Sequence, residues 1–219
     1  MRGYCPSVRA VVVGAFWLVV TAASRAGVET RAFTIFVDGK SAGACRLTFD
    51  DDSGTTSGHA AVQVRHVLGT YRYHFDGTEV WKDGRLQQLH SDTNDNGKKC
   101  TIEATAGQTG LRVVANGRTS VLRAQAWPTT YWRLPPAKLR DQPLTLLDTD
   151  TGQALAARLQ VVGPARMIVA GQTIDVTHYR VTGQAEADLW YDAQDRLVRQ
   201  ETLEDGHRTI LVLRELQRP

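Results

Sequence analysis

The stretch YRYHFDGTEVWKDGRLQQL, residues 71–89, decides the fold class. Tyr71, Tyr73 and Phe75 alternate with polar residues, which is the two-residue period of a strand with one buried face. An Asp-Gly pair at positions 83–84 then interrupts the alternation, and such pairs favour the tight turn of a hairpin. Strand-like sequence resumes after the turn, so the stretch predicts two long antiparallel strands.

The same pattern continues on both sides of this hairpin. Phe33, Ile35 and Val37 alternate before another Asp-Gly pair, and LRVVANGRTSVL, residues 111–122, turns at Asn-Gly. No apolar period of 3.6 residues lasts long enough to predict a helix of any length. We therefore expect an all-β, mostly antiparallel fold over residues 27–219, in one domain. The expected form is a curved sheet, a half-barrel or open barrel with little helix.

Residues 1–26 are typical of a secretory signal peptide. Arg2 and Arg9 give a basic start, residues 10–23 (AVVVGAFWLVVTAA) give an apolar run, and small residues precede a cleavage site after Ala26. Cleavage after Ala23 is the alternative. An uncleaved anchor would need roughly 20 apolar residues to span a bilayer, and this run has about 14. We expect a protein of the periplasm or a secreted protein, with no stable membrane insertion after cleavage.

Charge argues against one class of partner. The sequence has 26 Lys and Arg against 23 Asp and Glu, a formal net charge of +3. The leader contains three of the arginines and no acidic residue, so the exported part is close to neutral. A neutral domain lacks the broad basic surface that nucleic acid attracts, and no nucleic-acid partner is expected.

Two cysteines, Cys45 and Cys100, follow the leader. Cys45 shares a strand face with Leu47, and Cys100 shares one with Ile102, so both are expected to point towards the core. In an oxidising compartment the simplest interpretation is a disulfide between Cys45 and Cys100. Two free buried thiols, which pack as small hydrophobes, are the alternative.

No chemical motif identifies a catalytic or cofactor site. None of the six histidines forms H-x-H, H-E-x-x-H or a Cys/His cluster with ligand spacing, so no metal or other cofactor is predicted. A G-x-S-x-G elbow and a phosphate-cradling loop are also absent from the sequence. His74 and His90 lie near Glu79 and Asp92, and such neighbours form an acid–base pair, a weak metal site or a solvated strand face.

The candidate ligand-binding residues occupy two kinds of position. His66 and His178 replace aliphatic residues on apolar strand faces, and Arg180 follows His178 on the same face. If that face lines a cavity, the three could bind an anionic head group or act as acid–base residues. Hydrogen-bonded interior histidines are the alternative. The aromatic candidates, for pocket lining or for ordinary core packing, are Tyr73, Trp81, Tyr131, Trp132 and Trp190.

A family resemblance covers nearly all of the exported part. The motifs FTIFVDGKSAG, YRYHFDGTEVWKDGRL, TNDNG, TYWRL, LLDTDTG and DLWYDAQDRLV, in this order, resemble an uncharacterised family of exported bacterial β-proteins, a domain of unknown function. More distantly, the W-Y-D-x-x-x-R-L hairpin is similar to hairpins of Lol-type lipoprotein carriers and related periplasmic half-barrels. In those proteins a curved sheet wraps a helix or a hydrophobic cavity, and this chain departs from them in having little helix.

Three functions of different classes follow from these features. The first is a periplasmic binding or carrier module with an apolar, aromatic-lined cavity for a lipid or other apolar small molecule. The second is an enzyme whose site is assembled from dispersed His, Arg and carboxylate residues. The third is a structural or assembly protein that binds a partner through a sheet edge. The absence of a catalytic motif favours the first.

Overall fold

The computed structural model describes residues 27–66, 69–122, 125–204 and 206–218, which form one sheet of 15 strands and one short 3-10 turn. The strands are β1 (Val28–Val37), β2 (Lys40–Asp50), β3 (Thr55–His66), β4 (Gly69–Lys82), β5 (Arg85–Asp95), β6 (Lys98–Ala106), β7 (Leu111–Ala115), β8 (Arg118–Leu122), β9 (Trp127–Pro128), β10 (Pro143–Leu147), β11 (Ala154–Val169), β12 (Gln172–Gly183), β13 (Ala187–Asp192), β14 (Leu197–Glu204) and β15 (His207–Gln217). The 3-10 turn is Ala137–Leu139.

The first and last strands meet in the middle of the sheet. In the order β8-β7-β6-β5-β4-β3-β2-β1-β15-β14-β13-β12-β11-β10-β9, hairpins extend in both directions from the β1–β15 pair. The described pairs are antiparallel except for the short parallel contact of β9 with β10. In the described part of the chain the edge strands β8 and β9 do not pair with each other, so the sheet stays open. The prediction of a curved, mostly antiparallel sheet with little helix is confirmed.

Tight turns connect the strands where the sequence predicts them. Asp83 and Asn116 have φ angles of +51° and +46°, and the glycine that follows each also has a positive φ. Two successive left-handed residues give the turn a twist that matches that of the strands. The turns thereby fix which residues face each other across β4–β5 and across β7–β8.

The buried apolar residues form two clusters, one of which includes Trp81, Ile102 and Tyr191, and the other Phe33 and Phe75. We call the face of β1–β7 that carries these residues the inner face, and the opposite one the outer face. Strand β12 contributes to both clusters, because Val176 belongs to the second and Tyr179, three residues later on the other side of the strand, belongs to the first.

An irregular segment, rather than a helix, covers the inner face of β3 and β4. Residues 125–136, called the covering segment below, place Trp132 against Gly58 and Gly77, which face each other across β3–β4. A Cβ atom at Gly58 would lie 2.2 Å from Cζ2 of the Trp132 indole. Only a residue without a side chain leaves room for the ring at this position.

The predicted disulfide between Cys45 and Cys100 is not formed, since both cysteines are free. Cys45 lies in β2 and Cys100 in β6, with β3, β4 and β5 between them. Neighbouring strands are about 4.8 Å apart, so four spacings put the two residues about 19 Å apart along the sheet, whereas a disulfide needs Cα atoms within about 7 Å. Burial raises the pKa of the Cys45 thiol to about 12, which keeps it protonated.

We expect Gly58→Ala to lower the free energy of unfolding by about 1–3 kcal/mol, the usual cost of an added methyl group in a filled core. The physical reason is that the new Cβ atom displaces Trp132. The matched control is Gly107→Ala, because a Cβ atom there meets nothing nearer than the Gly110 carbonyl oxygen at 3.4 Å. Urea unfolding followed by circular dichroism measures both variants, and an equal loss in the two would contradict the packing of Trp132 on Gly58.

Candidate functional site

Three aromatic residues that the sequence suggests for a pocket are buried in the core. Trp81, Tyr131 and Trp132 are 7%, 4% and 6% exposed. Trp81 packs on Trp127 with ring centroids 4.4 Å apart, and the Tyr131 carbonyl oxygen accepts the hydroxyl of Tyr191 at 2.6 Å. These contacts are with the protein itself, so a ligand-binding role for the three residues stays a prediction.

Tyr73 also contacts the protein itself. Its hydroxyl donates to Oδ1 of Asp150 at 2.9 Å and so joins β4 to the loop between β10 and β11. The side chain of His66, another candidate, lies outside the described residues. Roles for Tyr73 and His66 in binding therefore stay predictions.

The other three candidates lie together on β12 and β13. His178 faces Trp190 across the two strands, and Arg180 faces Asp188. Asp188 Oδ1 accepts a hydrogen bond from Arg180 Nε at 2.9 Å and lies 2.6 Å from His178 Nε2. The imidazole of His178 stacks on Trp190 with centroids 4.5 Å apart. His178 and Arg180 thus share a face and converge on a carboxylate that sequence reasoning did not single out; their binding role is still a prediction.

A buried carboxyl group joins β4 to the covering segment. Glu79 is 1% exposed and accepts hydrogen bonds from Trp81 Nε1 at 2.8 Å and from Thr130 Oγ1 at 2.5 Å. Burial raises the pKa of Glu79 to about 7, although both donors and the nearby Arg133 act to lower it. The contact between sheet and covering segment therefore includes a group that changes charge near neutral pH.

The candidate site is a polar groove of about 330 Å³ on the outer face of β2–β5. Side chains from alternating positions of the four strands line it. They are Arg46, Thr48, Ser57, His59, Asp76, Thr78, His90 and Asp92. A groove of this volume is within the range that holds a small ligand, about 300–1,000 Å³.

Three potential metal ligands converge at this groove. His59 Nδ1 lies 2.7 Å from Oδ1 of Asp76, and His74 Nε2 lies 3.3 Å from Oδ2 of the same carboxylate. One ligand atom from each residue lies within 4.8 Å of the other two. The strand register produces this arrangement, because His59 faces Asp76 directly across β3–β4 and His74 is the diagonal neighbour.

The groove also holds a second carboxylate and a cation. Asp92 faces Asp76 across β4–β5, and Arg46 faces His59 across β2–β3. Hydrogen bonds lower the pKa of Asp92, the larger effect coming from Thr101 Oγ1 at 2.5 Å and the smaller from His90 Nε2 at 2.9 Å. Asp92 therefore stays ionised at neutral pH.

Sequence reasoning found part of this groove. It considered His74, His90 and Asp92, but it did not consider His59 or Asp76. The missing information was the register of β3 on β4. Counting seven residues back from His66 and seven forward from its partner Gly69 places His59 opposite Asp76, so a correct pairing of β3 with β4 would have identified the cluster.

The family model of DUF6134, described as a domain of unknown function, matches residues 33–214. The chain belongs to this family. The resemblance to an uncharacterised family is thereby confirmed. No curated protein sequence matches the chain.

Two solved structures were found to be similar to this chain. A β-barrel-like protein of the domain of unknown function DUF1849, from Brucella abortus, has a TM-score of 0.65 and 11% identity over 89% of this chain and 99% of that one. A putative outer membrane lipoprotein-sorting protein domain from Vibrio parahaemolyticus has a TM-score of 0.26 and 9% identity over 88% of this chain and 85% of that one. The first of these likenesses shows the fold alone.

The pKa of Glu79 predicts how stability depends on pH. Because the pKa is raised from 4.5 to about 7 by folding, the folded chain keeps a proton that the unfolded chain has lost. The resulting stabilisation is complete below pH 4.5 and is lost as the pH rises through 7, a change of about 3 kcal/mol. Urea unfolding at roughly pH 4 and pH 8 measures it.

Glu79→Gln is expected to abolish this part of the pH dependence, since the amide does not titrate. It can still accept from Trp81 and donate to Thr130. The control is Glu103→Gln, an exposed glutamate of β6, which should retain the wild-type pH dependence. A Glu79→Gln profile identical to that of the wild type would contradict the raised pKa.

Proposed function

We propose that this protein is an exported binding module, periplasmic or secreted, that holds one divalent transition-metal ion in the groove on the outer face. The observation that carries the proposal is the convergence of His59, His74 and Asp76, whose ligand atoms lie within 4.8 Å of one another. Imidazole and carboxylate are ligands for Zn²⁺ and for its neighbours in the first transition series. Export is supported by the signal-like character of residues 1–26.

The spacing of the three side chains suits a tetrahedral ion. With bonds of about 2.1 Å, the ligand atoms around Zn²⁺ lie about 3.4 Å apart. The 3.3 Å between His74 Nε2 and Asp76 Oδ2 matches this spacing, and the 2.7 Å between His59 Nδ1 and Asp76 Oδ1 is somewhat shorter. All three side chains are exposed, so small rotations are enough to bring them to equal distances from an ion.

The rest of the groove supports binding of a small molecule at the ion. Three protein ligands leave a coordination position open, as in zinc sites that bind water or substrate. Asp92 adds negative charge on one side of Asp76, which favours the cation. Arg46 adds positive charge beside His59, so an anionic ligand could contact the ion and the guanidinium together.

The purified protein, freed of metal by a chelator, is expected to bind one Zn²⁺ per chain in isothermal titration calorimetry. His59→Ala and His74→Ala each remove one of three ligands. Loss of a residue that only hydrogen-bonds to a metal ligand already lowers metal affinity roughly 10-fold. Loss of a ligand itself should therefore lower the Zn²⁺ affinity of each variant by more than that.

His207→Ala is the matched control for these variants. His207 forms the same kind of imidazole–carboxylate contact, with Nδ1 2.7 Å from Oδ2 of Asp38, and lies outside the cluster on β3 and β4. Zn²⁺ affinity should be unchanged in this variant. If the wild-type protein binds no ion, or if His207→Ala loses as much affinity as His59→Ala, the metal proposal is wrong.

A carrier of a lipid or other apolar small molecule is the second candidate. Regular backbone pairing holds the covering segment only at the two residues of β9 and at one isolated bridge at Arg133. This small amount of pairing favours a carrier, because a ligand has few backbone hydrogen bonds to break when it displaces the segment. Trp132 contacts Phe75 edge-to-face, with centroids 6.0 Å apart, and lies on the glycine pair beneath it. An apolar ligand that displaces Trp132 would meet an aromatic inner face, so the cavity expected from the sequence would form on binding.

The carrier candidate makes a separate prediction. Trp132→Ala should bind a fluorescent long-chain fatty acid roughly 10-fold more tightly than the wild type, because the space vacated by the indole buries about two more methylene groups of the probe. Trp132→Phe, which keeps an aromatic ring there, should stay close to the wild type. Fluorescence titration measures all three proteins, and the absence of binding to every one of them, while each still unfolds cooperatively, would exclude the carrier.

A further inference from the structure

Three arginines meet at the seam between the sheet and the covering segment. Arg31 comes from β1, Arg133 from the covering segment and Arg196 from the turn between β13 and β14. The guanidinium carbon of Arg31 lies 3.8 Å from the centre of the Phe49 ring, and that of Arg133 lies 5.9 Å from the same centre. Arg133 and Arg196 are backbone bridge partners, so the three cations occupy one small region of the inner face.

Each of the three guanidinium groups has one nitrogen that is buried and has no hydrogen-bond partner among the described residues. These nitrogens are Nη1 of Arg31, Nη2 of Arg133 and Nη1 of Arg196. The side chains of Arg31 and Arg196 are only 8% and 13% exposed. Stacking on Phe49 involves the flat face of the Arg31 guanidinium and therefore supplies no acceptor for Nη1 at its edge.

The carboxylates of this region already accept hydrogen bonds, Glu29 and Asp192 from two of these arginines and Glu79 from other residues. Glu29 accepts from Arg31 Nε at 2.6 Å and from Arg218 Nε at 3.0 Å, and its Oε2 forms a longer ion pair of 3.8 Å with Nη1 of Arg196. Asp192 accepts from Arg196 Nε at 2.6 Å. Glu79 accepts from a tryptophan and a threonine. Buried donors without acceptors are costly and are rare in folded proteins, so the region calls for an additional acceptor.

We infer that the guanidinium groups of Arg31, Arg133 and Arg196 bind one small oxyanion, and that phosphate suits them best. The tetrahedral oxygens of phosphate can accept donors that arrive from three directions, and guanidinium is the side chain best matched to such oxygens. The donors are buried, which favours a free anion over the head group of a large molecule. This site is on the inner face, apart from the proposed metal groove, and the two proposals stand or fall separately.

A bound oxyanion connects three separate parts of the chain. It links the central strand β1, the covering segment and the β13–β14 turn through one set of contacts. Because a ligand that binds only the folded state stabilises that state, phosphate should raise the midpoint of thermal unfolding and hold the covering segment on the sheet.

The test uses sodium phosphate as the probe and the purified protein after dialysis into chloride. Sodium chloride at matched ionic strength controls for general screening. We expect phosphate to raise the unfolding temperature in a saturable manner, chloride to have no such effect, and calorimetry to give one phosphate per chain. Sodium acetate is a third arm, which distinguishes a planar carboxylate from the tetrahedral oxyanion.

Arg133→Gln and Arg196→Gln should each weaken phosphate binding by roughly 10-fold or more, since each removes charge-assisted hydrogen bonds. Arg133→Lys, which keeps the charge but loses the planar fork, should fall between Arg133→Gln and the wild type. Arg166→Gln is the matched control, because Arg166 is 78% exposed and pairs with Asp175 on the β11–β12 hairpin; it should bind phosphate as the wild type does. If Arg196→Gln does not fold, the Arg133 variants carry the test alone.

Three outcomes would overturn the inference. One is a thermal response that is the same in phosphate and in chloride, which would mean that water satisfies the buried donors. Another is stabilisation by acetate but not by phosphate. The third is an Arg166→Gln variant that loses as much phosphate affinity as Arg133→Gln.

Discussion

A curved sheet that stays open must bury its apolar inner face against another part of the chain. Here the indole of Trp132 does so by lying on two glycines that face each other across β3 and β4. The missing side chains at Gly58 and Gly77 leave a flat patch of backbone that fits an aromatic ring. Residues 125–136 therefore cover the inner face of β3 and β4 as an irregular segment. The two apolar clusters depend on this segment, because Tyr131 belongs to one and Trp132 to the other.

The same constraint determines the outer face. Successive residues of a strand belong to opposite faces of the sheet. Gly58 and Gly77 belong to the inner face, and their neighbours His59 and Asp76 therefore belong to the outer face. A shift of one residue in the β3–β4 register would put a histidine or an aspartate beneath Trp132 and would separate the cluster in the groove. The packing of Trp132 on Gly58 and Gly77 therefore also holds His59 and Asp76 opposite each other on the outer face.

Most of the fold could be predicted from the sequence, because alternation and Asp-Gly or Asn-Gly turns are local signals. Alternation along each strand placed Cys45 and Cys100 on the inner face but gave no information about how many strands separate them. The predicted disulfide was wrong for that reason. Alternation likewise placed His178 and Arg180 on one face. Their shared partner, Asp188, could not be identified without the pairing of β12 with β13. The groove was found only in part because a cluster drawn from several strands requires the register of each pair, and alternation alone does not determine register.

The seam between the covering segment and the sheet differs in kind from the contact of Trp132 with its glycines. An apolar contact responds little to pH or to anions, whereas the seam contains a carboxyl group with a pKa near 7 and three guanidinium groups whose donors are incompletely matched. Buried charges of this kind are poor sources of stability compared with well-packed apolar residues. Trp132 fixes where the segment lies, whereas the raised pKa of Glu79 makes the seam the part of this attachment that is sensitive to pH.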